Sequence, residues 1–106
     1  MRGQFLKGHL DFLILSAAES QQLHGYAMIE ELRKRSGGAF DLPEGTIYPA
    51  LHRLERAKLL ASRWSEYAGR RRRVYRLTQR GHRVLAQQRN EWRSFSTAIS
   101  AVLGTT

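Results

Sequence analysis

The spacing of the apolar residues changes near Leu60, and this change constrains the fold more than any other feature of the chain. Up to that point apolar residues recur every three or four positions, which is the spacing of amphipathic helices. Beyond it, residues 62–67 and 74–77 show a period of two, which is typical of strands. A helical spacing returns after Thr78. The pattern predicts a mainly α fold with one small β-hairpin before a last helix.

Two helices are predicted in the first 35 residues. The second runs from about His24 to Arg35 and stops at Gly37 and Gly38, because glycine commonly ends a helix. The first covers about residues 5–18, where one apolar stripe comprises Leu6, Leu10, Leu13, Ile14 and Ala17.

A third helix is predicted from Pro43, which suits a first helical turn. Pro49 is tolerated inside it because the residue four positions earlier is Gly45, which eases the clash with the proline ring. Two helices followed by a third with one polar face form the skeleton of a helix-turn-helix. The inward positions of the third helix are Ile47, Ala50, Leu51 and Leu54.

The two period-two runs predict a β-hairpin joined by residues 68–72. The four consecutive arginines, residues 70–73, then occupy the hairpin tip and the start of the return strand. Thr78 is a good N-cap for a last helix that extends to about Leu103. Spacing of three and four residues along that helix gives a seam of coiled-coil type, and its members are Leu85, Gln88, Trp92, Phe95, Ile99 and Val102. We expect this seam to pair with a second copy, with Gln88 fixing the register of the homodimer.

Positive charge is concentrated in the second half of the chain. Residues 1–62 carry eight basic and seven acidic groups, a balance of +1, whereas residues 63–106 carry ten arginines against two glutamates, a balance of +8. Such a field on a small domain favours polyanions, nucleic acid first and anionic membrane second. Arginine is the better of the two basic residues for phosphates and guanine edges, which favours nucleic acid.

The length of 106 residues fits one domain. No run approaches the roughly 20 apolar residues of a membrane span, and the N-terminal segment is interpreted as a helix of the mature protein. The chain has no cysteine, hence neither disulfides nor thiolate metal sites. These features fit a cytoplasmic protein.

Four motifs in order resemble one known family. They are FLILSAAES in the first helix, HGYAMIEEL in the second, EGTIYPALHRLERAKLL in the third and RVYRLTQRG after the hairpin. The chain resembles the PadR-like winged helix-turn-helix transcriptional regulators over residues 5–95, and its single C-terminal helix resembles the smaller subfamily. The resemblance implies a DNA-binding domain at 1–78 and a dimerisation helix at 79–106. It also implies a homodimeric regulator, usually a repressor, of a pseudo-palindromic operator.

One position departs from the family pattern. Lys58 stands where the family usually has a glycine after the third helix. A residue other than glycine in a left-handed cap costs about 1 kcal/mol. We therefore expect a slightly altered end of this helix.

The third helix is the candidate recognition element. If it enters the major groove, the residues that reach DNA are Thr46, Tyr48, His52, Arg53 and Arg56. The resemblance implies that Tyr48 contacts a backbone phosphate, while Arg53 or His52 is suited to reading bases. The alternative is that Tyr48 packs and that Arg53 and Arg56 pair with Glu55 or Glu31.

At the hairpin, Arg70, Arg71 and Arg72 are expected to approach phosphates or the adjacent minor groove. Arg73 is expected in the strand, with its side chain on either face of the hairpin. The alternative for the group is a solvated turn. Gly25 and Tyr26 are predicted to be packing residues.

Trp92 is interpreted first as plain core of the dimer seam. The resemblance implies a second possibility, since some small members of the family hold flat aromatic effectors between subunits. Such a pocket would comprise Trp92 and Phe95, with Phe12 or Leu15 from the first helix.

Neither a metal site nor an enzyme is predicted. The histidines are scattered without ligand spacing, at positions His9, His24, His52 and His82. No arrangement of nucleophile, base and acid is evident, and no cofactor is expected. The alternative to a DNA-binding regulator is a basic protein-interaction or membrane-associated module without sequence preference.

Overall fold

A computed structural model describes residues 8–105 of the chain. Within these residues four helices and three strands follow one another: α1 (Leu10–Glu19), β1 (Leu23–His24), α2 (Gly25–Arg35), α3 (Glu44–Arg56), β2 (Leu60–Tyr67), β3 (Arg70–Leu77) and α4 (Gln79–Leu103). The predicted fold class, mainly α with a β-hairpin wing and a long last helix, is confirmed. Of the stripe predicted for the first helix, Leu6 lies outside the described residues.

The sheet has three antiparallel strands in the order β1-β3-β2, so that β3 is central. The hairpin of β2 and β3, which we call the wing, was predicted from its alternation. Strand β1 was not predicted, because two residues are too few to show a period. It pairs Leu23 with Tyr75 and His24 with Val74, and it thereby brings the start of α2 to the edge of the arginine-rich strand.

One apolar core joins every helix to the sheet. Each fully buried aliphatic or aromatic side chain contributes about 1.5–3 kcal/mol by leaving water. The predicted inward residues of α3 are all buried, and the core also takes Tyr75 and Leu77 from β3. Leu85 of α4 is 0% exposed and packs in this core. Its predicted place in an exposed dimer seam is therefore wrong, since the same monomer covers it.

The ends of α3 differ from expectation in two details. Pro43 is the N-cap residue and lies one position outside the helix, whereas Pro49 is inside it as predicted. At the other end Lys58 has a φ of 63°. Its N–H donates to the Glu55 carbonyl at 2.9 Å, and the Leu59 N–H donates to the Leu54 carbonyl at 3.0 Å. These two bonds complete a Schellman motif, so the expected alteration of the helix end is wrong: lysine takes the left-handed position itself.

The wing turns within two residues, Ala68 and Gly69, whose φ values are 52° and 77°. Consecutive positive φ angles are the mark of the tight hairpin turns that match the twist of the strands. The predicted connection of residues 68–72 was too long, because Ala-Gly is a weaker turn signal than Asn-Gly. All four arginines consequently lie in β3, where Arg70 pairs with Tyr67 and Arg73 pairs with Trp64.

Thr78 is the N-cap of the last helix, as predicted, and the helix itself begins at Gln79. The Thr78 hydroxyl accepts a hydrogen bond from the Gly81 N–H at 2.9 Å and donates to the Lys58 carbonyl at 2.7 Å. The helix continues to Leu103, and Gly104 ends it with a φ of 77°. Within residues 8–105, no helix is both long enough and apolar enough to cross a membrane.

Candidate nucleic-acid interface

A cleft of about 450 Å³ lies between β3 and the starts of α2 and α3. We call it the arginine cleft, and its lining residues are His24, Gly25, Tyr26, Tyr48, Arg70, Arg71, Arg72 and Arg73. The wing arginines thus meet Tyr48 of the candidate recognition helix in one concave surface.

Tyr48 enters the arginine cleft because residue 25 has no side chain. A β-carbon on Gly25 would lie 2.6 Å from the Tyr48 hydroxyl oxygen and closer still to its ring. The packing role predicted for Gly25 is confirmed, and the ring of Tyr48 is half-buried against it. The packing role predicted for Tyr26 is wrong, since this residue is 57% exposed and lines the cleft.

Aromatic side chains of β2 support three of the arginines. The guanidinium groups of Arg71 and Arg73 lie 4.8 and 5.0 Å from the ring centre of Trp64, and that of Arg72 lies 5.0 Å from the ring centre of Tyr67. A cation–π contact at an exposed site is worth about 0.5–1 kcal/mol. The four arginines therefore lie on an ordered strand, and their side chains alternate between the two faces of the sheet. This support was not predicted from the sequence, although the alternation of Trp64 and Tyr67 in β2 was the available signal.

The four arginines differ in how their charge is balanced. Arg73 donates to the Ser62 hydroxyl at 2.9 Å and lies 3.8 Å from the Glu55 carboxylate. Among the described residues, no acidic side chain lies within salt-bridge distance of Arg70, Arg71 or Arg72. Three uncompensated charges consequently face the arginine cleft and the solvent around it.

His24 is the residue of the cleft that the sequence reasoning missed. Its Nδ1 accepts from the Ala27 N–H at 3.2 Å and thereby caps α2, while its Nε2 lies 2.8 Å from Nη1 of Arg72. Burial lowers the pKa of His24, and the positive charge of Arg72 lowers it further. Both effects favour the neutral form of the imidazole.

The remaining candidates on α3 share one face of the helix. Thr46, Tyr48, His52, Arg53 and Arg56 turn away from the buried positions, and the last three are exposed. Arg53, with 52% of its side chain exposed, forms an ion pair with Asp11 of α1. The alternative partners predicted for Arg53 are thus wrong: Glu31 pairs with Arg35, and Glu55 accepts a hydrogen bond from Ser62.

A second concave site lies between α1 and α4. This aromatic pocket, about 400 Å³, is lined by Gly8, His9, Phe12, Gln88, Glu91, Trp92 and Phe95. The ring centres of Trp92 and His9 are 5.3 Å apart. The Gln88 Oε1 atom is buried and has no hydrogen-bond partner among the described residues. Of the two alternatives predicted from the first helix, Phe12 lines the pocket and Leu15 does not, because Leu15 is 0% exposed in the core.

The second half of α4 carries an exposed apolar stripe. The exposed fraction is 43% for Trp92, 56% for Phe95, 42% for Ile99 and 86% for Val102. In residues 8–105, no group of three or more His, Cys, Asp or Glu side chains is arranged to hold a metal ion.

The fold combines three core helices with a β-hairpin that lies beside the polar face of the third helix, α3. This arrangement defines a winged helix-turn-helix protein. The model of the transcriptional regulator PadR-like family matches residues 14–87. The chain belongs to this family, whose members are transcriptional regulators and not enzymes.

Known relatives agree with this assignment. The chain is 35% identical to the transcriptional regulator Rv3488 of Mycobacterium tuberculosis over 101 residues, 95% of this chain and 89% of that protein. A PadR family transcription regulator from Clostridium difficile R20291 matches with a TM-score of 0.82 and 36% identity, over 91% of this chain and 99% of that one. Bacillus subtilis PadR, solved in complex with operator DNA, matches with a TM-score of 0.67 and 22% identity, over 74% and 45% of the two chains. This last likeness is one of fold alone.

Proposed function

We propose that the protein represses transcription by binding a pseudo-palindromic operator in double-stranded DNA as a homodimer. The observation that carries the proposal is the arginine cleft, in which uncompensated wing arginines meet Tyr48 beside the exposed face of α3. Bacillus subtilis PadR, which shares the fold, was solved with operator DNA. We propose that this chain uses its winged helix in the same way, as a cytoplasmic regulator.

In the proposed complex α3 enters the major groove. His52 and Arg56 face the base edges, while Thr46 and Tyr48 contact the backbone near the start of the helix. Arg53 reads bases only if it exchanges Asp11 for DNA. Arg70, Arg71 and Arg72 bind phosphates or the adjacent minor groove, and Arg73 supports them from its bonds to Ser62 and Glu55.

A homodimer is supported by the exposed apolar stripe in the second half of α4. Large contiguous apolar surface is uncommon on a monomer and marks an interaction site. A two-fold pairing of α4 buries Trp92, Phe95, Ile99 and Val102 against their counterparts. Residues 79–106 then act as the dimerisation helix, and residues 1–78 remain as the DNA-binding domain of each subunit.

We also propose that the aromatic pocket takes a flat aromatic effector that releases the operator. Phe12, Trp92 and Phe95 offer faces for stacking, and the unpartnered Gln88 Oε1 would accept a hydrogen bond from an N–H group of the ligand. Because the pocket adjoins the proposed dimer seam, binding there would alter the spacing of the two recognition helices. Tryptophan fluorescence tests this: planar ligands should quench the wild type and leave Trp92→Phe unchanged, and identical responses would exclude the pocket.

Gel shifts test the central proposal. The duplex upstream of the protein's own gene and a scrambled duplex of the same composition are compared at two salt concentrations. We expect a preference for the upstream duplex that persists at the higher salt, because base contacts are less salt-dependent than phosphate contacts. Equal affinity for both duplexes would instead support the alternative, a basic module without sequence preference. Co-sedimentation with anionic vesicles would then distinguish a membrane-associated module from a protein-interaction module.

A further inference from the structure

We propose that His24 and Arg72 together hold one phosphate group, with His24 acting as a neutral hydrogen-bond donor. The inference rests on the proposed DNA binding, and it adds a residue outside both α3 and the arginine run. Its basis is the hydrogen-bonding geometry of this pair in the arginine cleft.

The pair consists of two donors that face each other. A neutral imidazole has one N–H and one acceptor nitrogen, and a guanidinium has donors only. Nδ1 of His24 is the acceptor, because the Ala27 N–H points at it from 3.2 Å. Nε2 therefore carries the proton, and it lies 2.8 Å from Nη1 of Arg72, which also carries protons.

Protonation of the ring does not resolve this conflict. A cationic imidazole would place a second N–H against the Ala27 N–H and a positive charge against Arg72. The remaining groups of the cleft are the other arginines and the phenols Tyr26 and Tyr48. No acidic side chain among its lining residues supplies a negative acceptor, so the acceptor that fits both donors comes from outside the chain.

An anionic oxygen satisfies both donors at once. Charge-assisted bonds from a guanidinium to a phosphate oxygen are strong and directional, and the Nε2–H of a neutral histidine adds a second bond without adding charge. The Tyr48 phenol in the same cleft can donate a third. Phosphate is thus the group that the pair recognises, either in a DNA backbone or as a free ion. The cleft's continuity with the exposed face of α3 favours the backbone.

The two residues should affect DNA binding in different ways. Replacing Arg72 removes a charge, so the log–log salt slope should fall by about 0.9 along with the affinity. Replacing His24 removes only a hydrogen bond to a charged group, so affinity should fall on the order of tenfold with no change in slope. Because both hold the same phosphate, the double variant should lose less than the product of the single losses.

Fluorescence anisotropy of a labelled duplex, titrated at several salt concentrations, measures all three effects. The variants are His24→Ser, Arg72→Gln and their combination; serine retains an N-cap acceptor for α2. Matched controls are His82→Ser on α4 and Arg76→Gln, which is on β3 but outside the cleft. Wild-type affinity of His24→Ser, a lowered slope for it, or multiplicative losses in the double variant would each overturn the proposal.

A second measurement identifies the source of the phosphate. It also distinguishes a failure of this inference from a failure of the proposed function. The imidazole resonances of His24 in the wild type are followed by NMR during titration with the duplex and, separately, with inorganic phosphate. A response to the duplex at stoichiometric amounts identifies the DNA backbone, and a response only to phosphate identifies a free-ion site. No response to either would overturn the inference. If His24 responds to both operator and scrambled duplexes and the gel shifts give equal affinity for the two, the phosphate contact stands and sequence-specific regulation fails.

Discussion

The ring of Tyr48 occupies the space that a β-carbon on residue 25 would need. This contact brings the start of α2 against the exposed side of α3, and it fixes the phenol at the wall of the arginine cleft. A glycine in the second helix thus determines where a side chain of the third helix points.

Gly25→Ala should weaken DNA binding more than it weakens the fold. The added methyl meets the outer end of a side chain, which can swing away, and alanine is the better helix former by up to about 1 kcal/mol. We expect a near wild-type melting temperature and a loss of affinity similar to that of Tyr48→Phe. Thermal unfolding and anisotropy measure the two quantities. Full DNA affinity in Gly25→Ala would mean that the phenol position is irrelevant.

Gly81→Ala should have the opposite effect and weaken the fold more than it weakens DNA binding. A β-carbon there would come closer than 3.0 Å to the backbone carbonyl oxygen of Leu59, which cannot swing aside. Overpacking of this kind costs about 1–3 kcal/mol, and about 4–8 °C of melting temperature is expected per kcal/mol in a domain of this size. Calorimetry gives the result. An unchanged melting temperature would show that α4 begins farther from α3 than the structure places it.

Alanine at Arg70, Arg71 and Arg72 together should weaken DNA binding and flatten its salt dependence. Each lost phosphate contact removes about 0.9 from the log–log slope. The oligomeric state should not change, because these arginines lie on β3 and not on α4, which carries the proposed seam. Anisotropy at several salt concentrations and light scattering measure these effects. Unchanged binding would make the wing a solvated hairpin.

Phe95→Glu should produce monomers. Phe95 is 56% exposed in the single chain, so the substitution leaves the monomer core intact and places a charge in the proposed seam. We expect light scattering to give the monomer mass and the operator shift to disappear. The matched control is Thr97→Glu, also exposed on α4 but outside the apolar stripe. A Phe95→Glu dimer would place the interface elsewhere.

Arg89→Gln should lower stability at neutral pH and less so in acid. Arg89 donates to both carboxylate oxygens of Glu19, at 2.7 and 3.0 Å, and these bonds hold the pKa of Glu19 below its usual 4.5. A depressed carboxyl pKa stabilises the fold above the unfolded value, and this contribution disappears as pH falls through the folded value. Both side chains are over a third exposed, so the difference should be at most about 1 kcal/mol. Urea unfolding at about pH 7 and about pH 4 measures it; a difference that grows in acid would contradict this account.

The sequence predicted well those elements whose signals are local. Helices α3 and α4 were found because each has a long apolar period and a recognisable start, Pro43 and Thr78. Strand β1 has no period, and the Ala68–Gly69 turn lacks strong turn residues. The arginines were therefore placed at the wing tip and the start of the return strand, whereas all four lie in the strand.

Misassigned side chains share a different cause. The spacing of Leu85 and Trp92 places both on one stripe of α4, but it does not say that the monomer covers the first and leaves the second exposed. Likewise, the ion pair of Arg53 with Asp11 joins residues 42 positions apart, and the facing donors of His24 and Arg72 are 48 apart. Such contacts depend on the packing of whole elements.

Thr78 joins the wing, the end of α3 and the start of α4 through one backbone and one side-chain group. No linker lies between β3 and α4 in which rotation could occur. In the proposed dimer each subunit would therefore move as one rigid piece, pivoting only where the two α4 helices cross. Inserting a single base pair between half-sites moves one half by about 3.4 Å and turns it by roughly a tenth of a revolution. Such a dimer should discriminate between half-site spacings as strongly as it discriminates between base sequences.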